Sequence, residues 1–229
     1  MKIKTWFRGL SAIVLTIVLS LTLFGLPANA FIFPNSEISQ NLEHLLETNE
    51  CNDCNLSGVD LSGRDLYGSA LLRADLSGAN LSDALLNEAK LKRADLTGAN
   101  LSGASLLGVK LDNAKLIDAD LSDAKLSNAE MPGADLSNAT LSGAELEYAI
   151  ISDATLTDVE AEDANFNNAY FNGSHLENGD FSYSVMTNVR LSGATLNGAN
   201  FCETDLYDAR MPNDTIYNGD LSEFNADEC

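Results

Sequence analysis

A chain of 229 residues with 34 acidic against 13 basic side chains carries −21 at pH 7, with an isoelectric point near 4.1. That balance excludes nucleic acid as a direct partner, because phosphates need cations, and favours solubility, metal cations or a basic partner surface. Apolar residues make up 45% but aromatics only 7%, and much of the apolar share is Ala, so the chain suits a thin core drawn out along an axis rather than one thick globular core.

Residues 1–30 have the layout of an export signal peptide. Lys2, Lys4 and Arg8 form a positive n-region, Leu10 to Leu26 is apolar apart from Ser, Thr and Gly, and Pro27-Ala28-Asn29-Ala30 reads as an A-x-A cleavage site. The alternative is an uncleaved anchor, since about 17 apolar residues approach the length that spans a bilayer; that leader is then the only membrane contact. Cleavage leaves all 34 acids but 10 of the 13 Lys and Arg, for a net −24.

Residues 31–53 are read as a linker, 31–35, followed by a capping helix over Ser36 to Glu50. Ile38, Leu42, Leu45 and Leu46 fall at i, i+4, i+7 and i+8 and form one stripe. Asn35 or Ser36 caps its start, and Glu37 favours the positive end of its dipole. A helix this short needs a surface to cover, and the open end of a repeat array is that surface.

From Cys54 to Glu223 every fifth residue is a core centre, Leu56, Leu61, Leu66 and onward to Leu221, 34 positions without an insertion. The period matches neither the 3.6 of a helix nor the 2.0 of a long strand. Centre i and residue i−2, mostly Ala, point inward, as residues two apart on an extended segment do. Positions i+1 and i+2 carry Ser-Gly, Thr-Gly, Asn or Asp, which is turn chemistry. Ala161 is the one small centre, where thinner packing is expected, while Phe166, Phe171, Phe181 and Phe201 give the second half a bulkier core. Residues 224–229 form a C-terminal tail.

The A-(D/N)-L-x-x pattern, as in Ala74-Asp75-Leu76-Ser77-Gly78 and Ala79-Asn80-Leu81-Ser82-Asp83, resembles the pentapeptide-repeat family across essentially all of 54–223. The resemblance implies an all-β fold: a right-handed quadrilateral β-helix, four pentapeptides to each square coil, about 8 coils here with a short N-terminal capping α-helix. The leader, the helix and the cysteine pair before the first repeats are similar to exported members in the thylakoid lumen or periplasm of cyanobacteria and chloroplasts.

Cys51, Cys54, Cys202 and Cys229 make an even set, which in an exported chain suggests disulfides. Cys51-x-x-Cys54 also has the spacing of half a zinc site or a redox pair, but no second CxxC and no βαβ context accompanies it. The expected pairs are Cys51–Cys54, tying the helix to the first coil, and Cys202–Cys229, pinning the tail.

With four units to a coil, centres 20 residues apart stack, Leu196 beneath Ile216 among them. The side centred on Leu61, Leu81 and Leu101 then carries Asp60, Asp83, Asp120, Asp123, Glu160, Glu162, Asp163, Asp180, Glu203, Asp220 and Glu223 and no base. The opposite side, centred on Leu71, Leu91 and Leu111, carries Arg73, Lys90, Lys92, Arg93, Lys110, Arg190 and Arg210 against three acids. With outward Leu72, Ile150 and Tyr170, this basic side is a candidate docking face for an unidentified protein partner; the bland alternative is that the segregation merely relieves self-repulsion.

Nothing in the sequence asks for catalysis. Outward carboxylate pairs on a flat surface lack the cleft that shifts a pKa. There is no coordinating calcium loop, phosphate loop or dinucleotide motif, and the hydroxyls have no partnered histidine. No catalytic residue, resident metal or cofactor is assigned. The expectation is an exported, non-catalytic scaffold or binding module, monomeric or dimeric. The alternatives are a weak divalent-cation binder and, by the resemblance, an acidic DNA mimic that inhibits a DNA-binding enzyme.

Overall fold

The computed structural model describes residues 36–226 and 229; the leader, the 31–35 linker and the proposed Asn35 cap lie outside them. Helix α1 spans Ser36–Thr48. Leu45 is 1% exposed, and Ile38 and Leu42 pack half-buried against the core. Leu46, expected in the same stripe, is turned out at 47% exposure: it sits about 100° round the helix from the buried Leu45.

The helix stops because the column begins earlier than the first Leu centre. Glu50 already bridges Ala70, and Cys51 sits 1% exposed in a core slot five residues before Leu56. From there parallel bridges join residues 20 apart, one every five residues, through Arg190↔Arg210. Each is a single bridged residue, and no continuous strand occurs among the described residues. A turn interrupts the extended backbone in every unit, so the β character of the column resides in stacked isolated bridges.

The unit centred on Leu76 explains the pattern. Leu76 N–H donates to Asp95 O at 2.7 Å, Gly78 N–H to Thr97 O at 2.9 Å and Asp75 N–H to Cys54 O at 2.8 Å, while Ala79 N–H closes the turn on Leu76 O at 3.0 Å. Four of five N–H groups are thereby satisfied, as buried backbone requires. The fifth, at i+1, bonds the side chain at i−1: Ser77 N–H donates to Asp75 Oδ1 at 3.0 Å. This is why Asp or Asn recurs at i−1. In two units where i−1 is neither, an Asn one coil away accepts this bond, Asn52 from Leu72 and Asn87 from Leu107. Pro132 and Pro212 both occupy i+1, the one position whose N–H the ladder does not use, and their carbonyls still accept from Asn113 and Gly193.

Every centre from Leu56 to Met211 is at most 3% exposed, each buried Leu contributing about 1.5–3 kcal/mol. Around Ala161 the space is taken by aromatic rings. Phe166 lies edge-on to Phe171 and Phe181, with centroids 5.3 and 5.9 Å away, and Phe181 stacks on Phe201 at 5.3 Å. A Cβ at Gly179 would come within 2.7 Å of the Phe181 ring, so the absent side chain makes room for it. Inward hydroxyls are used too: Ser174 donates to Ile151 O at 2.6 Å, and Ser184 to Ala161 O at 2.6 Å. Ser69 has no coil beneath it, only the helix end, and its buried hydroxyl lacks a partner among the described residues.

The five-residue phase outlasts the ladder. After Arg210 the chain doubles back: Met211 N–H bonds Thr215 O, and Ile216 pairs antiparallel with Arg210. Ile216, expected to stack on Leu196, is instead 49% exposed. Asp214 occupies the inward slot before it, and a carboxylate is costly to bury there. Arg64 takes the same slot near the other end and turns outward without breaking its coil, held by the coil stacked on it; no coil stacks on Asp214. The remainder crosses the column end. Leu221 is 1% exposed beneath a short 3-10 turn, Ser222–Phe224, and Gly198 N–H donates to Asn225 O at 2.7 Å.

Candidate docking surface

The 20-residue register places side chains at equivalent positions directly above one another, about 4.8 Å apart, so a surface row is read by counting in twenties. On the basic side the row at i−1 runs Lys90, Lys110, Glu130, Ile150, Tyr170, Arg190, Arg210. Arg73 holds Asp53 through two contacts of 2.6 Å, Lys92 holds Asp112 at 3.1 Å, and Lys110 pairs with Glu130. The Arg73 guanidinium keeps the Asp53 carboxyl below its ordinary value. These exposed pairs tie adjacent coils with little net gain, because water screens them and two long side chains must be ordered. Lys90 and Arg93 are exposed and have no ion-pair partner among the described residues. Arg190 lies over the Tyr170 ring at 5.0 Å, and Arg210 donates to Asp214 O at 3.0 Å.

The acidic side divides in two. Asp60, Asp120, Asp180 and Asp220 are turn closers, each accepting from the N–H two residues on, at Ser62, Ser122, Ser182 and Ser222. Asp123 and Asp163 stand at corners with φ of 56°. Glu160 and Glu162 are exposed, Glu160 accepting weakly from Thr140 at 3.4 Å. Among the described residues no group of three or more His, Cys, Asp or Glu is arranged to hold a metal ion.

The Ser62 hydroxyl and N–H hold Asp60 below its ordinary 3.8, and Ser222 does the same for Asp220. Burial pushes Asp95 up, but bonds from Thr97 and Lys115 more than offset it. All three are depressed in the folded state, so their stabilisation is complete above pH 3.8 and is lost as pH falls through the lower folded values. Asn55, Asn80 and Asn100 make the same turn bond without titrating. The triple variant D60N/D95N/D220N is expected to lose less thermal stability than wild type between about pH 4 and pH 2, as followed by circular dichroism; identical profiles would contradict this.

A groove that the charge of each side does not mark runs along the corner between two sides. One wall is the i+2 row of the neighbouring side: Tyr148, Asn168, Asn188 and Asp208. The other wall is Tyr170, Arg190 and Arg210, with Val189 in the floor and the displaced Ile216 closing one end. The inward i−2 residue between the walls supplies the depth, and the cavity measures about 330 Å³. The sequence signal was present at period 20, but in positions assigned to separate sides.

Both cysteine pairs are disulfides, Cys51–Cys54 with Cα atoms 5.4 Å apart and Cys202–Cys229 with 4.8 Å. The second fastens the tail that carries Ile216 and Leu221 across the column end.

The family model for pentapeptide repeats matches in eight copies over residues 54–213. No curated protein sequence matches the chain. Among solved structures the chain is similar to a trypsin-treated form of QnrB1, a plasmid-mediated fluoroquinolone resistance protein, at 21% identity and TM-score 0.51, covering 79% of this chain and 82% of that one. HetL of the cyanobacterium Nostoc sp. strain PCC 7120, involved in heterocyst differentiation regulation, matches at 24% identity and TM-score 0.29, covering 78% and 98%. A thylakoid-lumen protein of Arabidopsis thaliana matches at 31% identity and TM-score 0.33, over 55% of this chain and 67% of that one.

Proposed function

As the chain belongs to the pentapeptide-repeat family, whose match indicates a repeat and no catalytic family, we propose that it is an exported, non-catalytic scaffold that holds a protein partner against the basic side of its column. The column is right-handed and four-sided, with about eight coils at roughly 4.8 Å each, close to 40 Å long. The observation that carries the reading is the segregation of charge: seven of the ten bases beyond the leader share one side, and Lys90 and Arg93 there are not consumed by pairs within the column. Charged rows of this kind speed and orient association more than they tighten it.

Export is supported by the leader sequence and by two disulfides, which persist in oxidising compartments. The compartment is a thylakoid lumen or a periplasm. The acidic side favours a second reading as a mimic of a polyanion, which the leader opposes because export carries the protein away from DNA-binding enzymes.

The test is affinity capture from the exported compartment with wild type and the variant K90E/K92E/R93E. The variant is expected to lose at least about tenfold of a captured partner, more at low than at high salt. Undiminished capture by the variant removes the basic side as the docking surface. Loss on neutralising Asp123, Glu160, Glu162 and Asp163 instead transfers the role to the acidic side.

A further inference from the structure

Resting on the reading of the basic side as a docking surface, we propose that the corner groove walled by Tyr148, Tyr170, Arg190 and Arg210 is its recognition pocket, and that it takes a carboxylate flanked by an apolar side chain, as an acidic peptide segment presents.

The groove concentrates what the rest of the basic side spreads out. Arg190 and Arg210 are bridged neighbours in adjacent coils, so their guanidiniums are carried about 4.8 Å apart at the backbone. Among the described residues neither forms an ion pair with a carboxylate, although the molecule is strongly acidic. Arg73, Lys92 and Lys110 on the same side are each neutralised by an acid one coil away. Arg190 is instead ordered by the Tyr170 face beneath it, and Arg210 by a single backbone carbonyl. A guanidinium stacked on a ring keeps its donor edge available and loses little freedom when it pairs with a carboxylate.

The apolar half is equally specific to this place. Tyr148 is 54% exposed, Ile216 49%, and Ile150 continues the Tyr170 row at 39%. Ile216 lies here because the last coil breaks and folds back on Arg210. Asn168 and Asn188 on the opposite wall offer both donors and acceptors, which suits a peptide backbone. Asp208 on the same wall, with Asp214 beside Arg210, offsets part of the positive charge. The site therefore suits a singly charged carboxylate better than a multiply charged phosphate. Its volume is at the low end for ligand clefts, enough for an anchoring pair of residues from a larger partner.

The test titrates the disulfide-bonded protein, isotopically labelled at Arg and Tyr, with the blocked dipeptide N-acetyl-Phe-Glu-amide and follows Arg side-chain and Tyr ring resonances. Saturable shifts at Arg190, Arg210, Tyr148 and Tyr170 are expected. Binding should be at least about tenfold weaker for N-acetyl-Phe-Gln-amide, and R190Q/R210Q should abolish it while circular dichroism shows the fold retained. Equal binding of the Gln dipeptide overturns the carboxylate assignment. Tighter binding of inorganic phosphate makes the groove a phosphate site and overturns the peptide. Shifts confined to Arg73 and Arg93, or no saturation, overturn the groove itself. The titration needs no partner, so its failure and a failed capture experiment are read separately.

Discussion

Leu121→Asp abolishes cooperative folding of the central column. Leu121 is wholly buried, between Leu101 and Leu141 in its stack, and its N–H donates to Thr140 O in the coil above. Truncation to Ala alone at such a site costs about 2–5 kcal/mol. An unpaired buried carboxylate adds several more, against a total stability of about 5–15 kcal/mol for a domain. Each coil contacts only its two neighbours, so the defect propagates along the axis rather than staying local. Hydrogen exchange should show protection lost first in the coils around residues 101–141, with at most the ends surviving as separate units. A two-state melt with a midpoint near that of wild type would refute this.

Replacing Cys202 and Cys229 with Ser releases the C-terminal cover. The disulfide closes a loop of 27 residues, for which chain-entropy arguments give about 3–4 kcal/mol. Without it Tyr217 N–H on Ala209 O and the Ser192 hydroxyl on Asp214 still hold the start of the tail, while 222–226 keeps chiefly Phe224 and Ala226 against the core and Gly198 N–H on Asn225 O. Loosening that segment exposes the final layer of centres, Leu196, Phe201, Leu206 and Met211. A dye that fluoresces on apolar surfaces should bind the variant before its main unfolding transition, and the denaturation midpoint should fall. Cys51–Cys54 spans three residues, so its removal should cost much less. Equal losses from the two removals would show that loop length is not what governs them.

These expectations rest on features unequally legible in the sequence. The centres were plain because a buried slot accepts only apolar side chains, and Leu56 through Met211 obey without exception. The role of Asp or Asn at i−1 was not plain. Composition marks those residues as polar and outward, and only the hydrogen-bond ladder reveals the single N–H that each must satisfy. Asp60, Asp120 and Asp180 therefore read in the sequence as an acidic surface, although their carboxylates are occupied by turns. Ile216 misled for the opposite reason: its residue type and phase fit a centre, but phase carries no information about whether another coil lies above to hold it. The groove was missed because the walls of a corner belong to two different sides.

The ladder also separates two kinds of length change. Deleting five residues anywhere in the column leaves every later Leu in a buried slot and every later bridge 20 residues long, so folding tolerates it. The deletion nevertheless rotates everything beyond it by a quarter turn about the axis. When it falls between Lys110 and Arg190, Arg190 and Arg210 no longer stand in line with Lys90 and Lys110, and the one-sidedness of the charge is lost although every base remains. Only gains or losses of 20 residues preserve both the interior and the alignment, so the lineage of this surface should be written in whole coils.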